Sequence, residues 1–165
     1  MKTTTLLLML FSLVNVTFAQ NTCATAQVIT ANTHTVTTIN GTEGTTIICA
    51  GTGTASMAEW YSYTPTNDYT VTITSDSNDI PGNTGRDTRF QVYTGTCGTL
   101  TCVSGDDDSG AGFTSVASFN VTNGTTYYIA WDNRWETNGF QFELIETPIV
   151  IPPFDFVTTP ISTQG

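Results

Sequence analysis

Apolar and polar side chains alternate with a period of two along short segments through most of this 165-residue chain. Such alternation sends successive side chains to opposite faces of a β-strand. Gly, Asn, Asp, Ser and Pro residues, which favour turns, cluster between the segments, and no window carries a sustained helical period. The pattern predicts an all-β fold, an antiparallel β-sandwich of jelly-roll type with eight or nine strands.

The phase of the alternation predicts which side chains lie in the core. In the last segment, Phe140, Phe142 and Leu144 face inward, whereas Gln141 and Glu143 face solvent. Applied to every segment, the phase predicts that eight apolar side chains are buried between two sheets: Phe90, Val92, Phe119, Val121, Ile129, Phe140, Phe142 and Leu144.

Three long spacers, residues 50–58, 76–86 and 105–114, are rich in Gly, Ser, Asn and Asp. Because loops carry binding and catalytic groups more often than strands do, these spacers are the first place to look for function. A shorter connection, Asn123-Gly124, predicts a type I′ hairpin turn.

Residues 1–19 have the pattern of a signal peptide. Lys2 precedes an apolar run at residues 6–14, and small residues precede the cleavage point predicted after Ala19. The apolar run is too short for a transmembrane helix, and no later segment is long enough. We therefore expect a secreted or cell-surface protein without a membrane span, with its folded domain at residues 20–147.

After Glu146 the strand pattern gives way to a proline-rich tail at residues 148–165. Proline and polar residues favour an extended linker, and such a linker often leads to other domains of a larger chain. As an alternative, Ile149-Val150-Ile151 could add an edge strand to the sandwich.

The charge balance is strongly acidic, with fourteen carboxylates against four basic residues and a net charge of −10. Without the signal peptide, the remaining basic residues are Arg86, Arg89 and Arg134. Nucleic-acid binding requires clustered Lys and Arg against the phosphates, so we expect no nucleic-acid partner. An acidic chain of this kind suits cation binding or solubility outside the cell.

Four cysteines follow the signal peptide, and an even number in an exported chain predicts two disulfides. Four cysteines allow three pairings. We expect Cys97 to pair with Cys102 as a local staple, and Cys23 to pair with Cys49 and hold the N-terminal segment. A zinc site is the alternative, but the usual CxxC pairs and histidine partners are absent.

Four segments occur in an order and spacing that resemble a known family: 59–65 (EWYSYTP), 87–93 (DTRFQVY), 105–110 (GDDDSG) and 124–131 (GTTYYIAW). Over roughly residues 22–146 the chain resembles the bacterial pre-peptidase C-terminal domain, which is similar to the collagen-binding modules of clostridial collagenases. The resemblance implies a jelly-roll sandwich appended to secreted peptidases, adhesins and other exported enzymes, without catalytic activity of its own. Some of these modules bind calcium.

An acidic run, Asp106-Asp107-Asp108, lies between glycines in the third long spacer. Adjacent carboxylates repel one another, and Ca²⁺ takes oxygen ligands such as carboxylates. We therefore predict a calcium site formed by Asp87, Asp106, Asp107, Asp108 and Asp132. Glu59 and Asn133 could contribute from neighbouring loops. The alternative is a solvated turn in which the Asp side chains accept hydrogen bonds from backbone N–H groups.

The tryptophans divide into strand and loop positions. Trp60 and Trp131 stand in strand phase with apolar neighbours, so we expect both in the core. Trp135 follows Arg134 in a loop, where an exposed indole beside a guanidinium is a plausible contact for a glycan or an extracellular protein. Packing of Trp135 against the sheet is the alternative.

Catalysis has little support in the sequence. His34 is the only histidine and has no adjacent acid, and the common hydrolase, metalloprotease, phosphate-loop and dinucleotide motifs are absent. We expect no enzymatic activity. The predicted function is a non-catalytic accessory domain that aids folding, export or surface attachment of a larger exported protein. The alternative is an adhesive module that binds glycan or extracellular protein in a calcium-dependent manner.

Overall fold

The computed structural model describes residues 20–150, so the predicted signal peptide and residues 151–165 of the predicted tail lie outside the described residues. Nine strands and three short 3-10 turns make up the regular structure of this part. The strands are β1 (Gln27–Ile29), β2 (Asn32–Thr38), β3 (Ala58–Tyr63), β4 (Tyr69–Thr74), β5 (Phe90–Thr96), β6 (Thr99–Asp106), β7 (Val116–Val121), β8 (Tyr127–Asp132) and β9 (Asn138–Pro148). The turns are Cys23–Thr25, Pro81–Asn83 and Ala111–Phe113.

The strands form two packed sheets, which confirms the predicted sandwich. One sheet has the order β1-β3-β8-β5-β6 and the other the order β2-β9-β4-β7. From β2 to β9 the chain crosses between the sheets at every step except β5 to β6, in jelly-roll order, and the pairings of these strands are antiparallel. The exception to the predicted antiparallel arrangement is β1, which lies parallel to β3 at the sheet edge.

The predicted phase of the strands is confirmed in the core. Seven of the eight predicted side chains are buried, and Phe119 is partly buried against the same cluster. Trp131 lies at the centre of this core, with its ring centroid 4.8 Å from that of Phe90 and 4.9 Å from that of Phe140. Trp60 is also buried, but in a second cluster on the outer face of the five-stranded sheet, where its ring stacks 5.9 Å from that of Tyr93.

Two disulfides are present, but the predicted pairing is wrong. Cys23 pairs with Cys97, and Cys49 pairs with Cys102. Cys97 lies in the two-residue turn between β5 and β6, because Thr96 is the register partner of Thr99. Cys102 is therefore three residues further along β6, about 10 Å away at roughly 3.3 Å per residue. Bonded cysteines need Cα atoms within about 7 Å, so the straight hairpin keeps these two apart.

The predicted hairpin at Asn123-Gly124 is wrong as well. The turn is present, with Thr125 N–H donating to the Thr122 carbonyl at 3.1 Å and Gly124 at a positive φ of 72°. It joins β7 to β8, which lie in different sheets. A type I′ turn is favoured in hairpins because it matches the twist of two paired strands. Because β7 and β8 are not paired, nothing here requires that turn type. Among the described strands, only β5 and β6 are consecutive and antiparallel partners.

The crossovers between sheets separate the connections into two groups. Connections 39–57, 75–89, 107–115 and 133–137 meet at one end of the sandwich, which we call the loop-rich end. Connections 30–31, 64–68, 97–98 and 122–126 meet at the opposite, short-turn end. The long spacers of the sequence therefore converge, and the candidate functional groups lie among them.

Candidate functional site

A segment that we call the strap (residues 43–57) covers the outer face of the five-stranded sheet. It has no helix or strand, and side chains of the sheet hold its backbone. The Gln91 amide accepts from the N–H groups of Cys49 at 2.7 Å and Ala50 at 2.9 Å and donates to the Ala50 carbonyl at 3.0 Å. Two further bonds run from Tyr93 Oη to the Ile47 carbonyl and from Trp60 Nε1 to the Glu43 carbonyl.

A fully buried ion pair anchors the strap at the loop-rich end. Arg89 and Asp132, both with 0 % of the side chain exposed, lie 2.9 Å apart. Arg89 Nη1 also donates to the carbonyls of Thr52 and Gly53, at 2.8 and 3.0 Å, and Asp132 accepts from Thr45 Oγ1 at 2.6 Å. The Asp132 carboxylate is thus committed to Arg89 and the strap. Asp132, which was predicted as a calcium ligand, is not among the carboxylates that meet nearby.

Sequence reasoning missed Arg89 and Gln91 as structural residues. Gln91 lies on β5 and Arg89 directly precedes this strand, both in the phase that the alternation assigns to solvent, yet Arg89 is 1 % exposed and Gln91 is 0 % exposed. A signal was available in the neighbouring outer positions, which carry Trp60, Tyr93 and Ala130. Apolar residues in the outer phase of three strands indicate that something covers that face.

Three carboxylates meet beside the strap and form what we call the acidic cluster: Asp87, Asp107 and Asp108. One carboxylate oxygen from each lies within 4.8 Å of the other two. Asp87 Oδ1 and Asp107 Oδ1 are buried atoms without a hydrogen-bond partner, whereas Asp108 is exposed. The strap reaches the cluster at Gly51, where a Cβ would lie 2.4 Å from Asp107 Oδ2.

Asp106 is not part of the acidic cluster, although it was predicted as a ligand. Its carboxylate accepts from Ser109 N–H at 3.0 Å, Ser109 Oγ at 2.6 Å and Val116 N–H at 2.9 Å. This arrangement is the Asx-type turn that was the alternative reading of the acidic run. The run is therefore divided: Asp106 caps the loop, and the next two aspartates turn toward Asp87.

Two other predicted contributors also have structural partners. Glu59 is 4 % exposed, and its Oε1 accepts from Asn40 N–H at 2.9 Å. Asn133 Oδ1 accepts from the N–H groups of Ser56 and Met57 at 3.1 and 3.0 Å. Neither belongs to the acidic cluster.

A buried hydroxyl network brings the two aspartate-bearing loops together. Ser75, Thr88 and Ser115 are each 0 % exposed, and the hydroxyls of Ser75 and Thr88 lie 2.7 Å apart. Ser115 N–H donates to both hydroxyls at 3.0 Å, and Ser115 Oγ lies 2.9 Å from the Asp107 carbonyl. Because Thr88 follows Asp87 directly, the network fixes the backbone of Asp87 next to that of Asp107.

Burial and mutual repulsion shift the protonation of the acidic cluster. Burial, together with the negative charges of Asp108, Asp107 and Glu136, raises the pKa of Asp87. Burial and the charge of Asp108 raise the pKa of Asp107, although a hydrogen bond from the Trp135 side chain and the nearby Arg89 act in the opposite direction. The arrangement thus disfavours the ionised form of both groups in the absence of a positive charge.

The two residues predicted to contact a ligand lie at the same end. Trp135 is 50 % exposed, so the alternative in which it packs away against the sheet is not what the structure shows. The Arg134 guanidinium carbon lies 4.5 Å from the Trp135 ring centroid. The Trp135 side chain also lowers the pKa of Asp107, so it adjoins the acidic cluster.

The donors of the acidic cluster fit a hard divalent cation. Three carboxylates from two loops bring oxygen atoms within 4.8 Å of one another, and Asp87 and Asp107 each carry a buried oxygen without a partner. Ca²⁺ prefers carboxylate oxygens and completes its shell with carbonyls and water, so Asp87, Asp107 and Asp108 are the residues that would hold it.

Comparison with protein-family models, with curated proteins and with solved structures gives no match for this chain. Within residues 20–150, no helix has the length and apolar character needed to cross a membrane.

Proposed function

We propose that this chain is a non-catalytic accessory module of an exported protein, with a loop-rich end that a calcium ion holds together. The acidic cluster carries the proposal, because it leaves two buried carboxylate oxygens without partners at the junction of two long loops. Two disulfides support an oxidising, extracellular setting. The resemblance to pre-peptidase C-terminal domains, which rests on the four sequence segments, agrees with an accessory role.

The use of the polar groups supports a structural role over a catalytic one. At the loop-rich end, the charged side chains already have structural hydrogen-bond partners. Asp106 accepts from backbone N–H groups, and Arg89 donates to Asp132 and to the strap backbone. His34 lies on β2 near the short-turn end, and its Nε2 bonds to the Thr30 carbonyl at 2.8 Å. A general base has to reach the group that it activates. This histidine lies near the start of β2, at the end of the sandwich opposite to the acidic cluster.

When bound, calcium would supply the positive charge that the acidic cluster lacks. Asp87 belongs to the β4–β5 loop, and Asp107 and Asp108 belong to the β6–β7 loop. Ionised carboxylates from the two loops would then attract a common ion instead of repelling one another. The expected result is a more stable and less flexible loop-rich end.

An adhesive module is the second candidate, favoured by the exposure of Trp135 and its contact with Arg134. An exposed aromatic ring and a guanidinium beside a cation site are common elements of ligand recognition. A glycan and extracellular-protein array, probed with the labelled protein in calcium and in chelator, separates the two roles. Specific binding supports adhesion, whereas an accessory role alone predicts none.

The calcium proposal is tested by thermal and urea unfolding in CaCl₂ and in EDTA. A cation that binds only the folded state stabilises it by about 2.7 kcal/mol at a hundredfold excess over Kd. Asp107→Asn should remove most of this calcium-dependent difference, since a hard cation prefers the ionised oxygen. Asp79→Asn, an exposed position in the β4–β5 loop outside the cluster, should leave it unchanged. Coincident wild-type curves with and without calcium would contradict the proposal.

A further inference from the structure

Arg134 differs from the other two arginines of the described residues. Arg89 is buried against Asp132, and Arg86 lies 3.4 Å from Glu136. Arg134 is exposed, and within residues 20–150 its guanidinium has neither a carboxylate partner nor a hydrogen bond. In a chain of net charge −10, an unpaired arginine among carboxylates is a free recognition group for an anion.

Two neighbours, Trp135 and Gly53, contact the guanidinium of Arg134 and limit its freedom. The Trp135 ring lies 4.5 Å from the guanidinium carbon, a cation–π contact. The strap approaches the same group at Gly53, where a Cβ would lie 3.0 Å from Arg134 Cζ. Gly53 has a positive φ of 75°, a backbone conformation that glycine adopts without strain. A guanidinium already held in place loses less conformational entropy when a ligand binds.

A polar depression lies beside the guanidinium. It has a volume of about 280 Å³ and is lined by Thr54, Ala55, Ser56, Asn133 and Arg134. Its floor is fixed, because the Asn133 amide accepts from Ser56 N–H and donates to Ser56 Oγ at 3.2 Å. Thr54 and Ser56, which are both exposed, add hydroxyl-bearing side chains to the lining of the depression.

These groups match the chemistry of an acidic sugar residue. A guanidinium forms paired hydrogen bonds with a carboxylate, and the Thr54 and Ser56 hydroxyls suit sugar hydroxyls. The exposed Trp135 ring is not part of the lining of the depression but contacts the Arg134 guanidinium that lines it, and it suits the apolar face of a neighbouring pyranose in the same sugar chain. The volume is just below the range of about 300–1,000 Å³ that is usual for ligand pockets. That is room for one sugar unit of a longer chain.

We propose that Arg134 recognises the carboxylate of a uronic-acid residue in an acidic polysaccharide, with the sugar seated in this depression. The proposal rests on the adhesive alternative above and names its ligand class. The net negative charge of the protein opposes a polyanion, but this repulsion is screened beyond about 8 Å at physiological salt. Because Trp135 adjoins Asp107, a cation in the acidic cluster would lower the local repulsion. Binding of the uronate should therefore be tighter in calcium than in EDTA.

The test uses trigalacturonate as the acidic probe and maltotriose as the neutral one, with affinities measured by calorimetry and by fluorescence. Trp135 is the exposed member of the three tryptophans, so quenching reports on this end of the molecule. Arg134→Gln should weaken trigalacturonate binding by about tenfold or more, since it removes a charge-assisted hydrogen bond. Arg86→Gln removes the same charge from the same end without touching the depression, and it should change the affinity less than about twofold.

The outcomes separate this proposal from the adhesive function on which it rests. Equal losses in the two arginine variants would show a general charge effect and overturn the role of Arg134. Equal binding of maltotriose would overturn uronate recognition while leaving an adhesive function intact, and tighter binding of a sulfated trisaccharide would overturn the choice of carboxylate. No binding to any glycan or protein of the array would reject the adhesive function itself. Arg134→Gln, at an exposed position, should melt at the wild-type temperature, which excludes misfolding as the cause of its loss. Arg86→Gln also removes the ion pair with Glu136, so its melting curve is measured and its affinity is compared well below the midpoint.

Discussion

The two ends of the sandwich are held by different kinds of interaction. At the short-turn end, backbone bonds close the connections, such as Thr125 N–H to the Thr122 carbonyl and Gly124 N–H to the Pro65 carbonyl at 2.9 Å. At the loop-rich end, charged and amide side chains of the sheet bind the backbone of long loops, as Arg89 does with the strap. All three arginines of residues 20–150 lie at this second end.

The difference follows from the length of the connections. A short turn satisfies its few backbone groups locally, so turn-forming residues suffice. A long loop without regular structure has many N–H and C=O groups to satisfy and more conformational entropy to lose. The sheet supplies the missing partners through Gln91, Arg89 and Asp132. The loop-rich end can consequently hold exposed functional groups in fixed positions.

The largest expected contrast between the ends comes from removing one aspartate at each. Asp132→Ala leaves Arg89 buried without its partner, and breaking a buried pair in this way costs about 3–5 kcal/mol. Asp68→Ala removes an exposed acceptor of Asn123 N–H at 2.8 Å, which is worth about 1 kcal/mol. Urea unfolding measures both losses. Similar values for the two variants would mean that the ends do not differ in how they are held.

The sequence predicted features that depend on local alternation. Side-chain phase along β9 is decided by neighbours two residues apart, so Phe142 and Leu144 were placed correctly in the core. By contrast, the pairing of distant residues, such as cysteines in disulfides, depends on how the strands cross between the sheets. Cys97 and Cys102 are close in sequence and yet point to different partners, Cys23 and Cys49, because an extended hairpin strand separates them.

In the candidate site, too, local sequence does not predict which distant residues come together, even for adjacent aspartates. Asp106 and Asp107 are adjacent, but Asp106 is the last residue of β6 and caps Val116, whereas Asp107 turns toward Asp87. Composition places three aspartates in one loop, but only the register of β6 decides which of them meet the neighbouring loop. Asp132 lies outside the acidic cluster for a related reason, since the pairing of β5 with β8 brings it to Arg89.

The disulfides extend the comparison, because each secures a different end. Cys23–Cys97 ties the N-terminal segment to the β5–β6 turn, and Cys49–Cys102 ties down the strap. The bonds span 74 and 53 residues, so the chain-entropy account predicts similar losses of about 2–4 kcal/mol for the two double-serine variants. Their proteolysis patterns should differ.

Limited proteolysis with mass spectrometry checks this second contrast. Cys49→Ser/Cys102→Ser should open cleavage sites within the strap, while Cys23→Ser/Cys97→Ser should expose the N-terminal segment and leave the strap protected by its bonds to Gln91. Cleavage of the strap in both variants would show that the N-terminal disulfide also maintains the loop-rich end.

The smallest expected effect is a pH dependence confined to the loop-rich end. The pKa values of Asp87 and Asp107 are raised by burial and by neighbouring carboxylates. A folded-state pKa above the unfolded value of about 3.9 means that the folded state binds the proton more tightly. This tighter proton binding contributes fully to the free energy of unfolding below the unfolded-state pKa. The contribution is lost as the pH rises through the raised folded-state pKa.

In EDTA, this loss should appear as a fall in the free energy of unfolding above about pH 4 that Asp87→Asn reduces relative to wild type. The difference should be below about 1 kcal/mol, because water screens the partly exposed carboxylates. Asp68→Asn, at the short-turn end and outside the acidic cluster, is the matched control. In calcium, the stabilisation relative to EDTA should grow as the pH rises over the same range, because the ionised carboxylates bind the cation. If Asp87→Asn and Asp68→Asn give the same slope in EDTA, the carboxylates of the acidic cluster do not interact strongly enough to form a cation site.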